Sequence, residues 1–122
     1  MEKKRKVLIV DDNEPNRKFV AETLEDEGYY TQVAASGEEA LEIVKREEEP
    51  FDFVVTDRFM NGLDGVALAN EAHARFKKVP KFILMTGTSI TEEEAGPHIL
   101  RIFHKPFPIN TLVNFMRDLK SE

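Results

Sequence analysis

The sequence predicts an α/β domain built on a mostly parallel central sheet, and three observations carry that expectation. The apolar runs Val7-Leu8-Ile9-Val10, Phe53-Val54-Val55-Thr56 and Phe82-Ile83-Leu84-Met85 are short and unbroken, as in strands buried on both faces of a parallel sheet. Segments with apolar residues at helical spacing lie between them, so strand and helix alternate nearly throughout, which calls for right-handed crossovers. The runs also stop on one kind of residue: Asp11-Asp12, Asp57 and Thr86, each able to handle a phosphoryl group or its metal. A fourth run, Ile99 to Phe103, leads into His104 and then Lys105-Pro106. Parallel strands end on a shared edge, and in open α/β sheets ligands bind along it.

After the first run, Asn13 is a cap and Pro15 suits a first helical turn. Phe19, Val20, Thr23 and Leu24 recur on one face before Gly28 ends the helix. Tyr30 to Ala34 alternates like a strand. Ser36 caps the next helix, with Glu39 placed to complete a capping box and Ala40, Leu41, Ile43 and Val44 forming its stripe; Glu47-Glu48-Glu49-Pro50 closes it. Phe53 to Thr56 is the next strand, followed by a loop rich in turn residues, Asn61-Gly62-Leu63-Asp64-Gly65, in which Asp64-Gly65 reads as turn and cap. Val66 to Phe76 is helical and Lys81 to Met85 a strand. Between Thr88 and His98 the signal weakens: Thr91 caps a turn carrying Glu92, Glu93 and Glu94, and Gly96-Pro97 stops it after a turn or two. From Pro108 to Leu119, Ile109, Leu112, Val113, Phe115, Met116 and Leu119 make a wide helical stripe. The tail Lys120-Ser121-Glu122 is polar.

At 122 residues the chain fits one domain, 1–122 with a core of about 6–119, and shows no repeat, low-complexity tract or linker. Hydrophobic residues at 41% and charged residues at 33% mark an ordinary globular balance that folds alone. The formal charge of -6 argues against a nucleic-acid surface, which needs a clustered basic face; the basic start Met1 to Lys6 is short and reads as a solvated entry to the first strand. Absence of cysteine removes disulfides and thiolate metal sites. The apolar runs are too short to span a bilayer, and with no signal-peptide pattern a cytoplasmic protein is expected.

The chemistry at the shared edge follows from the residue types. Mg²⁺ takes oxygen ligands and is commonly held by one or two carboxylates plus a phosphate, a role that suits Asp11, Asp12 and Asp57. A carboxylate also attacks phosphorus, and Asp57, alone at the end of its strand, is the expected nucleophile. Lys105 places a point charge on a phosphoryl oxygen and Thr86 donates a hydrogen bond to another. His73, His98 and His104 have no metal-ligand spacing and read as surface residues.

In this order, Asp11-Asp12, Asp57-x-x-Met60, Asp64-Gly65, Thr86-Gly87 and Lys105-Pro106-Phe107, the chain resembles the receiver domains of bacterial two-component response regulators over essentially its whole length. The resemblance implies a single-domain, doubly wound, five-stranded parallel sheet of flavodoxin-like order 2-1-3-4-5, an order supplied by the family and not by the residue pattern. It implies that Asp57 accepts a phosphoryl group from a phosphohistidine on a sensor histidine kinase or a histidine phosphotransfer protein, and that a further, downstream protein partner reads the result. Asp12 and Asp57 would bind Mg²⁺ directly, Asp11 through water, with the backbone carbonyl of Phe59 completing the protein ligands; Mn²⁺ is an acceptable substitute. The family's Lys-Pro bond is usually cis, which Lys105-Pro106 permits.

Several positions depart from the family pattern. Asn61 replaces a common proline. Ile102 stands where many receivers carry an aromatic that rotates inward on phosphorylation, and Phe103 should face the other side of the sheet unless a bulge intervenes. The spacing from Thr86 to Lys105 is shorter than usual, and the Gly-Pro break shortens the fourth helix, so output uses an atypical surface. Phe59 and Thr88 stand at the mouth of the site, where a bulky Phe59 should exclude water and slow self-dephosphorylation. The reading is therefore a cytoplasmic signalling phosphoacceptor that catalyses its own phosphorylation and slow dephosphorylation, with no direct nucleic-acid or membrane binding. A degenerate receiver acting as a phosphorylation-independent interaction module is the first alternative. A Mg²⁺-dependent phosphohydrolase comes after it, disfavoured because Phe59 and not a carboxylate stands two residues after Asp57. A flavin-binding protein of similar topology is weaker still, because the first loop is acidic rather than a phosphate cradle.

Overall fold

Strand and helix alternate five times in the computed structural model, which describes residues 4–119: β1 (Lys6–Val10), α1 (Glu14–Asp26), β2 (Tyr30–Ala34), α2 (Gly37–Arg46), β3 (Phe53–Asp57), α3 (Gly65–Arg75), β4 (Lys81–Thr86), α4 (Glu92–Ala95), β5 (Ile99–His104) and α5 (Ile109–Asp118). The sequence readings of Met1–Lys3 and of the polar tail lie outside the described residues. All five strands are parallel, in the order β2-β1-β3-β4-β5. That is the doubly wound, flavodoxin-like arrangement the resemblance implies.

The period-2 alternation of each strand divides its side chains between two apolar layers. Val7 and Ile9 of β1 pack with Val55, Met85 and Phe103 beneath Val20, Ala21 and Leu24 of α1 and Leu112, Val113 and Met116 of α5. On the opposite face Leu8, Val10, Val54 and Phe82 meet Ala40, Leu41 and Ile43 of α2 and Leu68, Ala69 and Ala72 of α3. Cover on both faces is why β1, β3 and β4 read as continuous apolar runs. Their register sets the cleft: Val10 pairs with Thr56, Asp57 with Met85 and Thr86 with His104, so the carboxyl ends lie side by side.

Local chemistry fixes the helix starts. Asn13, Ser36, Asp64 and Thr91 each accept a backbone N–H two or three positions into the helix that follows. The expected capping box at Ser36 is only half made, because Glu39 reaches the N–H of Ala35 at 3.3 Å instead of that of Ser36. The complete box belongs to Thr91 and Glu94. Phe19 also departs from expectation: it sits at the margin of the apolar stripe of α1 and is 57% exposed. The fourth helix is a single turn, at the short end of the turn or two that Gly96-Pro97 allows, and Gly96 leaves it at a φ of 75°. A bulge does occur in β5: Ile99 pairs with Phe82 and Arg101 with Ile83, which leaves Leu100 out of register. It precedes the switch position, so Phe103 still faces the α1–α5 layer while Ile102 faces a groove with Ala95, Gly96 and Pro97.

Candidate functional site

Each site residue is placed by the end of a strand. Asp11 follows β1 and is 1% exposed; its N–H is tied to Ala34 O at 3.2 Å and its carbonyl accepts from Arg17 Nη1 at 2.8 Å. One carboxylate oxygen, Oδ1, accepts from the Asn13 N–H at 2.9 Å. The other, Oδ2, is buried and has no hydrogen-bond partner, with Lys105 Nζ at 4.0 Å. Burial pushes the Asp11 carboxyl above its ordinary value of 3.8, outweighing the Asn13 N–H, and the Asp57 charge adds to the rise. Asp12 is exposed beside it. Carboxylate oxygens of Asp11, Asp12 and Asp57 all lie within 4.8 Å of one another.

Asp57 ends β3 half-buried, and its Oδ1 is 2.9 Å from Lys105 Nζ. Lys105 reaches it from the end of β5, anchored by its own N–H on Thr86 O at 2.7 Å; the Lys105–Pro106 bond is cis. Thr86 is buried, and its hydroxyl is engaged with Thr88, accepting that residue's N–H at 3.2 Å. Two further contacts with Thr88, to its carbonyl at 3.3 Å and its hydroxyl at 3.2 Å, close a tight turn. The structure therefore gathers Asp11, Asp12, Asp57 and Lys105, whereas the Thr86 hydroxyl is occupied locally. Phe59 follows in the loop with its ring 55% exposed and against the Arg58 guanidinium, 4.5 Å from centroid to Cζ.

One metal ligand set fits these residues. Three carboxylates this close repel one another, and a single lysine does not neutralise them; a divalent cation would. The orphaned, buried Asp11 Oδ2 is an oxygen acceptor with no protein donor, which suits a hard cation or its bound water.

Two residues that sequence reasoning left out of the site hold it together. Gly65 lies against the end of β3: a Cβ there would stand 2.4 Å from Asp57 O and 2.7 Å from Leu84 Cδ1, while its N–H bonds Arg58 O at 2.7 Å. Arg58 ties the two loops flanking the cleft, through Ser89 O and Glu94 Oε2, each at 3.3 Å. An arginine directly after a buried strand was the available signal for the second; the first depends on a close approach that spacing does not encode. His73 and His98, which read as surface residues without metal-ligand spacing, stack on each other with centroids 3.8 Å apart.

Fold and site together define a doubly wound α/β protein with an acidic, lysine-bearing cleft at the carboxyl edge of its sheet. Residues 7–117 match the sequence model of the response regulator receiver domain, and the chain belongs to that family. It is 29% identical over 113 residues to the response regulator receiver protein CpdR of Brucella abortus, covering 90% of this chain and 92% of CpdR. It is 29% identical over 116 residues to the response regulator MprA of Mycolicibacterium vanbaalenii, covering 93% of this chain but only 49% of MprA, so it spans about half of that relative. The crystal structure of TrrA from Thermotoga maritima, a response regulator in complex with Mg²⁺ and BeF, superposes with a TM-score of 0.83 at 30% identity, covering 95% of this chain and 99% of that one. The chain is thus a receiver of two-component signal transduction, a class of signalling domain that interacts with histidine kinases and binds Mg²⁺ at an acidic pocket. Among the described residues no helix is long and apolar enough to cross a membrane.

Proposed function

We propose that this chain is a phosphoryl-operated switch in which Asp57 takes a phosphoryl group from a phosphohistidine on a sensor histidine kinase or a histidine phosphotransfer protein. The supporting observation is the pairing of Asp57 Oδ1 with Lys105 Nζ at 2.9 Å inside a cluster of three carboxylates. In the transfer, an Asp57 oxygen forms a bond to phosphorus as the P–N bond breaks, and the imidazole nitrogen leaves with the electron pair. Lys105, already at the acceptor oxygen, pairs with an incoming phosphoryl oxygen. The Thr86 hydroxyl donates to another once it leaves Thr88. Asp12, Asp57 and the Phe59 carbonyl would hold the cation directly and Asp11 through water; Mg²⁺, or Mn²⁺ in its place, would offset the repulsion between an anionic nucleophile and an anionic donor. Water attack on the phosphoaspartate later returns the carboxylate and inorganic phosphate.

On this reading the donor approaches along a groove beside the site. A groove of about 350 Å³ beside Asp11 and Lys105 is lined by Asn16, Phe19, Val20, Phe107 and Ile109. The exposed Phe19 ring is an apolar anchor there for a helix carrying the phosphohistidine. On this reading residues 1–122 act as one receiver domain with its core at about 6–119, a cytoplasmic signalling module that catalyses its own phosphorylation and slow dephosphorylation, and a downstream protein reads its state.

Intact mass after incubation with acetyl phosphate and Mg²⁺ tests the reading. The expected result is a gain of one phosphoryl group in the native protein, none in Asp57→Ala and none with the cation chelated. No gain in the folded, Mg²⁺-supplied protein would overturn it in favour of a phosphorylation-independent interaction module.

A further inference from the structure

The Arg58 guanidinium is unusually placed for a residue next to a phosphoacceptor. Its side chain is only 12% exposed, yet it makes two long polar contacts at 3.3 Å, to Ser89 O and Glu94 Oε2, and leaves its buried Nε–H without a partner. Phe59 covers one face of it. Through these contacts the last turn of the acceptor strand grips both the β4–α4 loop and α4 itself. Among the described residues Arg58 supplies the polar tertiary contact to α4; the other hydrogen bonds of that turn run to Thr91 and within the turn. A four-residue helix has little stability of its own, so what holds it from outside decides its position.

The grip is linked to the phosphoryl site through the short segment from Thr86 to Ser89. Thr86 holds Thr88 by its hydroxyl, and Ser89, the next residue, presents the carbonyl that Arg58 binds. Turning the Thr86 hydroxyl toward a phosphoryl oxygen breaks its turn with Thr88 and shifts Ser89. A guanidinium that is held by two marginal bonds, and already has one unsatisfied N–H, then loses its geometry on Glu94. The Arg58–Glu94 pair suits release: Glu94 is about half exposed, and exposed ion pairs contribute little. Ile102, facing the groove under α4, offers no ring to rotate and no polar handle.

We propose that Arg58 is a positioning residue that couples the phosphoryl state of Asp57 to α4, clamping Ser89 and Glu94 when Asp57 is free and releasing α4 when it is phosphorylated. The inference rests on the phosphoacceptor reading above and adds the route by which the state of that site reaches the surface.

The test combines intact mass with hydrogen exchange of residues 88–96, before and after acetyl phosphate and Mg²⁺, in the native protein, Arg58→Ala, Arg58→Lys and Glu94→Gln. In the native protein phosphorylation should speed exchange in this segment by about tenfold, an opening of a locally stable unit. Arg58→Ala and Glu94→Gln should exchange fast without phosphorylation, still gain the phosphoryl mass, and show no further change; Arg58→Lys, keeping the charge, should restore part of the difference. A full mass gain with unchanged exchange in the native protein, or a phosphorylation-dependent change that survives in Arg58→Ala, overturns the coupling while leaving the phosphoacceptor intact. Absence of the mass gain overturns the phosphoacceptor reading and the coupling with it.

Discussion

The two walls of the cleft are built differently. On the β1–β3 side, Asp11 and Asp57 stand at the ends of strands buried on both faces, and Gly65 presses the start of α3 against the Asp57 carbonyl with no room for a methyl group. On the β4–β5 side, Thr86 opens into a turn, a four-residue helix and an edge strand with a bulge at Leu100. The difference teaches where rigidity is needed. Positioning a nucleophile and a cation to a fraction of an ångström requires a packed scaffold, whereas a surface that changes with occupancy must be held by a few weak ties.

Replacing Gly65 should break the rigid wall outright. In Gly65→Ala the added Cβ meets backbone oxygen, which cannot rotate away, so strand end and helix must separate. We expect a loss of about 1–3 kcal/mol of stability by denaturant titration, and slower phosphoryl uptake by mass in the fraction that stays folded. The matching change on the loose wall, Gly87→Ala, has nothing within 4 Å of its Cβ and should leave stability within about 0.5 kcal/mol. Equal losses in the two variants would erase the comparison.

The groove beside the rigid wall offers a way to tell chemistry from the proposed docking. Phe19→Ala removes an exposed ring that touches no reacting atom. Phosphorylation by acetyl phosphate should be unchanged, while transfer from a protein phosphohistidine should slow by about tenfold, the loss of one apolar anchor. Equal slowing with both donors would show that Phe19 supports the site and not the partner.

The same division explains what the sequence makes legible. Buried parallel strands announce themselves as unbroken apolar runs, and chain order then brings Asp11, Asp57 and Lys105 to one edge, because their positions depend on strand ends alone. The caps at Asn13, Ser36, Asp64 and Thr91 are local and equally readable. Helical spacing gives a stripe but not its width, so Phe19 falls on the stripe in the sequence while Val20, Ala21 and Leu24 fill the contact with the sheet and leave its ring outside. Glu39 could reach either Ser36 or Ala35, and the backbone bend before Ser36 decides between them. Gly65 reads as an ordinary turn glycine, since its partner is eight residues away along the chain and across a loop. The stack of His73 on His98 joins α3 to the segment before β5, a contact no spacing predicts.

A smaller effect tests the expectation that Phe59, two residues past Asp57, keeps water from the site. Phe59→Asn exchanges an apolar ring for a side chain that can orient water, so hydrolysis of the phosphoaspartate should quicken by a few-fold, roughly 0.5–1 kcal/mol in barrier. The measurement is decay of the phosphorylated mass with time after removal of donor, and an equal or slower rate in the variant would sink the idea.

The smallest effect tests how weakly the loose wall is held. The Thr91 N–H, then its hydroxyl, then Arg58 keep the Glu94 carboxyl below its ordinary value of 4.5. A carboxyl lowered on folding stabilises the folded form fully above its unfolded value, and that contribution fades as pH falls through the lowered one. The backbone amide signals of Thr91 and Glu94 should therefore shift with a midpoint below 4.5. In Arg58→Ala the midpoint should rise but remain below 4.5, because the Thr91 N–H still donates; Thr91→Ala, which removes the hydroxyl and keeps that N–H, should likewise raise it without reaching 4.5. A native midpoint at or above 4.5 would mean that neither cap nor guanidinium holds the carboxylate in solution. The order of the two variants ranks the ties on this carboxylate: a larger rise on losing the Thr91 hydroxyl means that the guanidinium is the weaker of the two side-chain holds on Glu94, as a releasable clamp requires.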